Sequence, residues 1–129
     1  LIWLEIELGA RNVTVAVLPF SMNFLGGTIE IFVKSAPLPK MTNKTLTNKE
    51  DLQKALAKIH QQGWVLLDQE LEDGVRSIAA PIHDKSGRTI AAINVGTQTG
   101  RVSMKQLSEE FLPLLVKTAA EISSAMTRR

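Results

Sequence analysis

Two apolar runs joined by a set of turn-forming residues constrain this chain more than any other feature. Ser77-Ile78-Ala79-Ala80-Pro81-Ile82 and Ile90-Ala91-Ala92-Ile93-Asn94-Val95 flank Asp84-Lys85-Ser86-Gly87. Asp folds its side chain back onto nearby backbone and Gly tolerates a left-handed conformation, so the segment reads as an antiparallel hairpin. Pro81 has no N–H to give a ladder and belongs beside an edge or a bulge. The paired alanines leave room for close packing on one face.

Helices are expected on either side of this hairpin. The spacing predicts a helix over residues 47–62, with Thr47 and Glu50 as a capping box and Leu52, Ala55, Leu56 and Ile59 on one buried face. Gly63 stands where a helix ends in a left-handed residue, and Trp64-Val65-Leu66-Leu67 leads out as a strand. Gly96-Thr97-Gln98-Thr99-Gly100 reads as a polar loop. Ser103 and Gln106 offer a second capping box, and Met104, Leu107 and Phe111 continue at helical spacing. Pro113 breaks or restarts that helix, after which Leu114, Leu115, Ala119, Ile122 and Met126 mark a long C-terminal helix. Nearer the start, Val13 to Leu18 alternates as a strand, and Leu4, Ile6 and Leu8 fit a strand or a helix. Ser21 to Val33 has helical spacing that Gly26-Gly27 weakens, and Pro37 and Pro39 mark a linker.

Chemistry is narrowed mainly by what is missing. A chain of 129 residues makes one domain, residues 1–129, large enough to fold without a disulfide or a metal. With no cysteine there is no thiol nucleophile and no cysteine-ligated metal. Fifteen basic residues against thirteen acidic ones leave a net charge of +2, too little for a nucleic-acid footprint. No run approaches the ~18 apolar residues of a membrane span. The opening LIWLEIELGA carries two glutamates and no basic segment, unlike a signal peptide, so a cytoplasmic location is expected. His60 and His83 lie on different elements without ligand spacing, and no metal or other cofactor is expected.

Two functional readings stay open at this point. A metal-independent hydrolase or isomerase would use His83 with the acidic loop Asp68-Gln69-Glu70-Leu71-Glu72-Asp73. No nucleophile elbow supports it, and acids so dense usually form a solvated loop. The other reading is a binding hollow. Asp68 and the segment Gly74-Val75-Arg76-Ser77 flank one strand end, while Asn94 and Gly96 share a face of another. If those strands pair, Ser77, Asn94 and Asp68 line one concavity with small walls and a few orienting polar groups. An ordinary sheet with exposed polar positions fits the same spacing.

The stretch from Thr45 to Arg129 resembles the C-terminal effector-binding domain of IclR-family transcriptional regulators. The likeness is carried by TLTNKEDLQKALAKIHQQGWVLLDQELEDGVRSIAAPIHDKSGRTIAAINVGTQTGRVSMKQL and FLPLLVKTAAEISSAM. A threonine-initiated helix leads to a Gly-Trp strand and an acidic loop. Then come the Gly-x-x-Ser-Ile-Ala-x-Pro run, an Asp-x-x-Gly turn, an Ala-Ala-Ile-Asn-Val strand and a Phe-Leu-Pro helix, in the family's order.

The resemblance implies an α+β fold, a curved antiparallel sheet with helices packed against it, of the profilin-like or GAF-like type. It implies a regulatory domain, not an enzyme, that holds a small organic acid over the sheet. Its partner there is a separate winged helix-turn-helix domain whose operator binding it changes, within a homodimer or homotetramer. Position by position, Asp68, Ser77, Asn94 and Gly96 match the family's ligand contacts. Val75 and Arg76 lie in the same segment, and Arg76 is suited either to grip a carboxylate bidentately or to face solvent. Members often carry Ser where this chain has Asn94 and Gly96, so at Gly96 only the backbone is left to contact a ligand. GVRSIAAPI and INVGTQTGRVS look most like members that sense aromatic acids of the protocatechuate and β-ketoadipate pathways. Ser21 to Val33 matches the family's S-M-G-x-x-L-L helix, which brings Met22, Asn23 and Leu25 to the pocket. Further strands and loops normally separate that helix from the strand matched by Val13 to Leu18, so residues are expected to be missing between Leu18 and Phe24, or the sheet to be truncated. No helix-turn-helix precedes the domain here, so DNA is expected to be reached only through a domain outside this sequence.

Overall fold

The computed structural model describes the backbone of residues 2–8 and 11–17 and the whole of residues 38–128. Strands β1 (Ile2–Leu8) and β2 (Arg11–Val17) pair antiparallel, with Ile2 opposite Val17 and Leu8 opposite Arg11. The Leu4-Ile6-Leu8 alternation is therefore a strand. Helix α1 (Lys49–Gln62) follows, then β3 (Val65–Asp68), β4 (Val75–His83) and β5 (Thr89–Gln98). The chain ends in α2 (Met104–Gln106), a π-helical turn over Leu107–Phe111, and α3 (Leu112–Thr127). Strands β3, β4 and β5 form an antiparallel sheet in that order, with α3 packed on one face. The fold is α+β, as the resemblance implies. The expected helix from Ser21 to Val33 lies outside the described residues.

Local chemistry sets most element ends. Helix α1 is capped by Asn48 instead of Thr47: the Asn48 Oδ1 accepts the N–H groups of Glu50 at 2.8 Å and Asp51 at 3.2 Å. Asn is at least as good a cap as Thr, and its longer reach serves two donors. Gly63 closes the helix at φ 80°, its N–H reaching the Ile59 carbonyl at 2.9 Å. The second capping box is present, with the Ser103 Oγ accepting from Gln106 N–H at 3.1 Å and the Gln106 Oε1 from Ser103 N–H at 3.2 Å. In the hairpin turn, Asp84 Oδ1 accepts the Ser86 N–H at 2.8 Å and Gly87 adopts φ 80°. Strand β5 runs on to Gln98, so Gly96 and Thr97 are strand residues and only Thr99 and Gly100 belong to the expected loop.

Pro81 sits in the central strand without breaking a ladder. Strand β3 begins opposite Ala79, so among the described residues β4 has no neighbour on that side at Pro81. A register shift between Ile82 and His83 lies close by.

The core forms between the sheet and the C-terminal helices. Ile78 and Ala80 of β4 meet Leu107, Leu112, Leu115 and Ala119, and Ile78 and Leu107 are fully buried. Small Ala80 and Ala119 let helix and strand approach closely. Two expected core residues are displaced: Leu114 is 65% exposed and Met126 47%. The π turn explains the first. Pro113 has no N–H for the Glu109 carbonyl, and Leu112 N–H bonds back to the Leu107 carbonyl, five residues away. The buried stripe thus continues from Leu107 to Leu112, Leu115 and Ala119, and Leu114 turns outward. Met126 lies in the final turn, beyond the last buried residue of the helix.

Candidate functional site

Residues directly opposite each other in an antiparallel pair share a face, and neighbours along a strand alternate. Ser77 stands opposite Gly96, Ala79 opposite Asn94, and Val75 opposite Gln98. On the other side of β4, Leu67 faces Ser77 and Val65 faces Ala79. All of these lie on the face away from α3, since Ile78 and Ala80 point to the helix. The structure therefore brings Ser77, Asn94 and Gly96 together, with Val75 at the end of the row. Val65 and Ala79 are buried and form a small apolar floor, supported by Ile59 and Leu67. Ser77 and Asn94 are half-buried, and Gly96 and Val75 are exposed. A Cβ added at Gly96 would meet no described atom within 4 Å.

Asp68 and Arg76 do not join them. Asp68 pairs with Arg76 and Arg76 with Thr97, one residue out of step with Ser77. They occupy the opposite face, so Asp68 does not line one concavity with Ser77 and Asn94. Its carboxylate is already engaged. Arg76 Nε donates to Oδ1 at 2.5 Å, Lys44 Nζ to Oδ2 at 2.7 Å, and Gln69 Nε2 to Oδ1 at 3.2 Å. Lys44 first, then Arg76, holds the Asp68 pKa down to about 2 against the cost of burial. Met22 lies outside the described residues.

The sequence reading missed the residues that hold this strand end. Thr42 Oγ1 donates to the Gln69 carbonyl at 2.6 Å and Thr45 Oγ1 to the Glu70 carbonyl at 2.5 Å. Thr45 Oγ1 also accepts the N–H groups of Met41 and Thr42, at 3.1 and 2.8 Å. Gln69 has a left-handed backbone at φ 59°, costly for a residue with a Cβ. It is held by its N–H to the Val75 carbonyl and by its Oε1, which accepts the Gly74 N–H, both at 2.9 Å. The start of the acidic segment is thus stitched down, not a freely solvated loop. The available signal was Thr-x-x-Thr just before a helix, a spacing at which two hydroxyls can serve one strap. Glu70 is half-buried beside a cavity of about 320 Å³ walled by Leu46, Leu52, Leu56, Ile59 and Leu67. Burial, then the Asp68 charge, pushes its pKa up.

His83 is far from these acids. Its N–H donates to Ser123 Oγ at 2.9 Å, and its Nδ1 lies 3.4 Å from Thr89 Oγ1. It stands seven positions along the extended strand from Arg76, about 23 Å at ~3.3 Å per step, so it forms no acid–base pair with Asp68. Among the described residues, no helix is long and apolar enough to cross a membrane.

Comparison with known proteins gives a consistent set of relatives. A family model described as the bacterial transcriptional regulator IclR C-terminal domain matches residues 27–124. The Pca regulon regulatory protein of Pseudomonas putida is 42% identical over 91 residues, covering 70% of this chain and 31% of that protein. The chain thus spans about a third of the length of the curated relatives it matches. A solved transcriptional regulator from Rhodococcus sp. RHA1 superposes with a TM-score of 0.80 at 28% identity, over 94% of this chain and 50% of that one. A double mutant of the PobR inducer-binding domain from Acinetobacter, in complex with 3-hydroxybenzoic acid, has a TM-score of 0.72 at 35% identity. That match covers 81% of this chain and 61% of the other.

Proposed function

Because the chain belongs to the IclR family of bacterial transcriptional regulators, whose effector-binding domain it carries, we propose that the sheet face around Ser77, Asn94 and Gly96 binds a small aromatic carboxylic acid. One observation carries this reading: Ser77 stands opposite Gly96, with Asn94 next on the same face, above the small floor of Ala79. A hydroxyl and a carboxamide can orient a hydroxylated acid, and the missing side chain at Gly96 leaves room beside them for a flat ring. The PobR domain in complex with 3-hydroxybenzoic acid and the Pca regulon protein support this ligand class. The relatives are named as regulators, and this domain is regulatory, not an enzyme.

In this reading residues 1–129 form one effector-binding domain, and Met22 adds a wall to the hollow. Val75 borders it. Asp68 and Arg76 act from the other face, fixing the end of the strand that presents Ser77. The domain works in the cytoplasm beside a helix-turn-helix domain, as a homodimer or homotetramer. The exposed side chains of Phe111 and Leu114 offer an apolar surface for that association. Ligand shifts operator binding through unequal affinity for two arrangements of the assembly. A coupling of ~1–3 kcal/mol changes DNA affinity 5–150-fold.

The test is a thermal melt with protocatechuate, 3- or 4-hydroxybenzoate, β-ketoadipate or pyruvate, followed in parallel for product. An aromatic acid at 100 times its Kd should stabilise the domain by about 2.7 kcal/mol without turnover. Ser77→Leu, which fills the hollow, should abolish the shift and leave the fold intact. Turnover lost on His83→Ala would overturn the reading.

A further inference from the structure

We propose that Gly96 sets the size of acid that the hollow admits; this rests on the binding reading above and adds its determinant of specificity. A glycine inside a strand needs a reason, because it costs chain entropy and packs nothing. Among the described residues, three ordinary reasons fail. Left-handed backbone is one, but the positive φ angles belong to Gly63, Gly74 and Gly87, not Gly96. A bulge is another, yet the register runs unbroken from Val75 opposite Gln98 to Ile82 opposite Ala91. Crowding is the third, and an ideal Cβ at Gly96 meets no described atom within 4 Å.

What remains is the space itself. It stands opposite the Ser77 hydroxyl and next to Asn94 along the same face. A side chain there would rise roughly perpendicular to the sheet, into the volume where a ring contacting both residues must lie. Gly96 therefore keeps that volume open. A branched side chain would leave room only for an acid without a ring.

The experiment compares the full chain with Gly96→Ser, Gly96→Val and Ser77→Leu, by calorimetric titration with 3-hydroxybenzoate and with pyruvate, and by melts without ligand. Gly96→Val should melt at or above the parent temperature, because a β-branched residue suits a strand and no described atom lies within 4 Å of its Cβ. Its affinity for 3-hydroxybenzoate should fall about 10- to 100-fold, with Gly96→Ser between. Any pyruvate binding should be spared. Parent-like 3-hydroxybenzoate binding in Gly96→Val, with binding lost in Ser77→Leu, overturns the role of Gly96 and leaves the hollow standing. A lower melting temperature with both acids lost overturns it too, since the glycine would then be structural. If neither variant changes affinity, or the parent binds neither acid, the hollow falls and this inference with it.

Discussion

A single carboxylate governs the end of the strand that leads to Ser77. Asp68 is held at about 2, below its ordinary 3.8, by Lys44 and Arg76. A folded-state value below the unfolded one gives stability that is present above about pH 4 and lost as pH falls through about 2. Most of it should come from Arg76, whose side chain is 17% exposed, because the Lys44 arm is 52% exposed and screened by solvent. Asp68→Asn should therefore melt below the parent at pH 6, with the gap closing between pH 4 and 2. A gap that stays constant across that window would mean the charge is not what matters. Glu70 has the opposite sign. Burial, then the Asp68 charge, raises its pKa, so folding is penalised as pH climbs past its ordinary value of 4.5. Glu70→Gln should raise the melting temperature at pH 7 and leave it unchanged at pH 3.5. A loss at both pH values would instead assign the carboxyl a contact the fold needs.

At the level of elements, helix α1 offers the cleanest comparison of neighbours. Asn48 takes two backbone donors, and Thr47 is not the cap that its capping-box spacing suggested. Asn48→Ala should cost about 1 kcal/mol in urea titrations, and Thr47→Ala only a few tenths. Equal costs would show that the two side chains share the cap. The same contrast marks how far the sequence was legible. Caps, turns and apolar periods are local, and they located α1, the hairpin and the Ser103 box to within a residue or two. Side-chain direction is not local. Asp68 was grouped with Ser77 because both flank a strand end, but a one-residue offset in pairing turns a side chain to the other face. The turn after Asp68 is held by the left-handed Gln69 and by Thr42 and Thr45, whose hydroxyls reach carbonyls 27 and 25 residues along the chain, a pairing that the Thr-x-x-Thr spacing alone does not locate. Helix phase fails in the same way. The π turn before Pro113 buries Leu112 in place of Phe111 and turns Leu114 outward, while Leu115 and Ala119 stay buried as expected.

The whole molecule turns on β4, the strand that serves both faces of the sheet. Ile78 points toward α3 and is fully buried against the helix residues of the core, while Ser77 beside it points the other way. Removing the Ile78 side chain leaves a cavity on the helix side, and Ile78→Ala should cost about 2–5 kcal/mol by urea denaturation. The hollow should not feel that loss. Effects at sites without shared partners add, and the floor beneath the proposed ligand is built from Ala79, Val65 and Leu67, not from Ile78. A saturating aromatic acid should thus add the same free energy to Ile78→Ala as to the parent chain, read as equal shifts of two denaturation curves. An increment that shrinks in the variant would mean that packing on α3 shapes the hollow. The helix and the ligand would then press on one shared strand, and the route from effector to operator would run through the core.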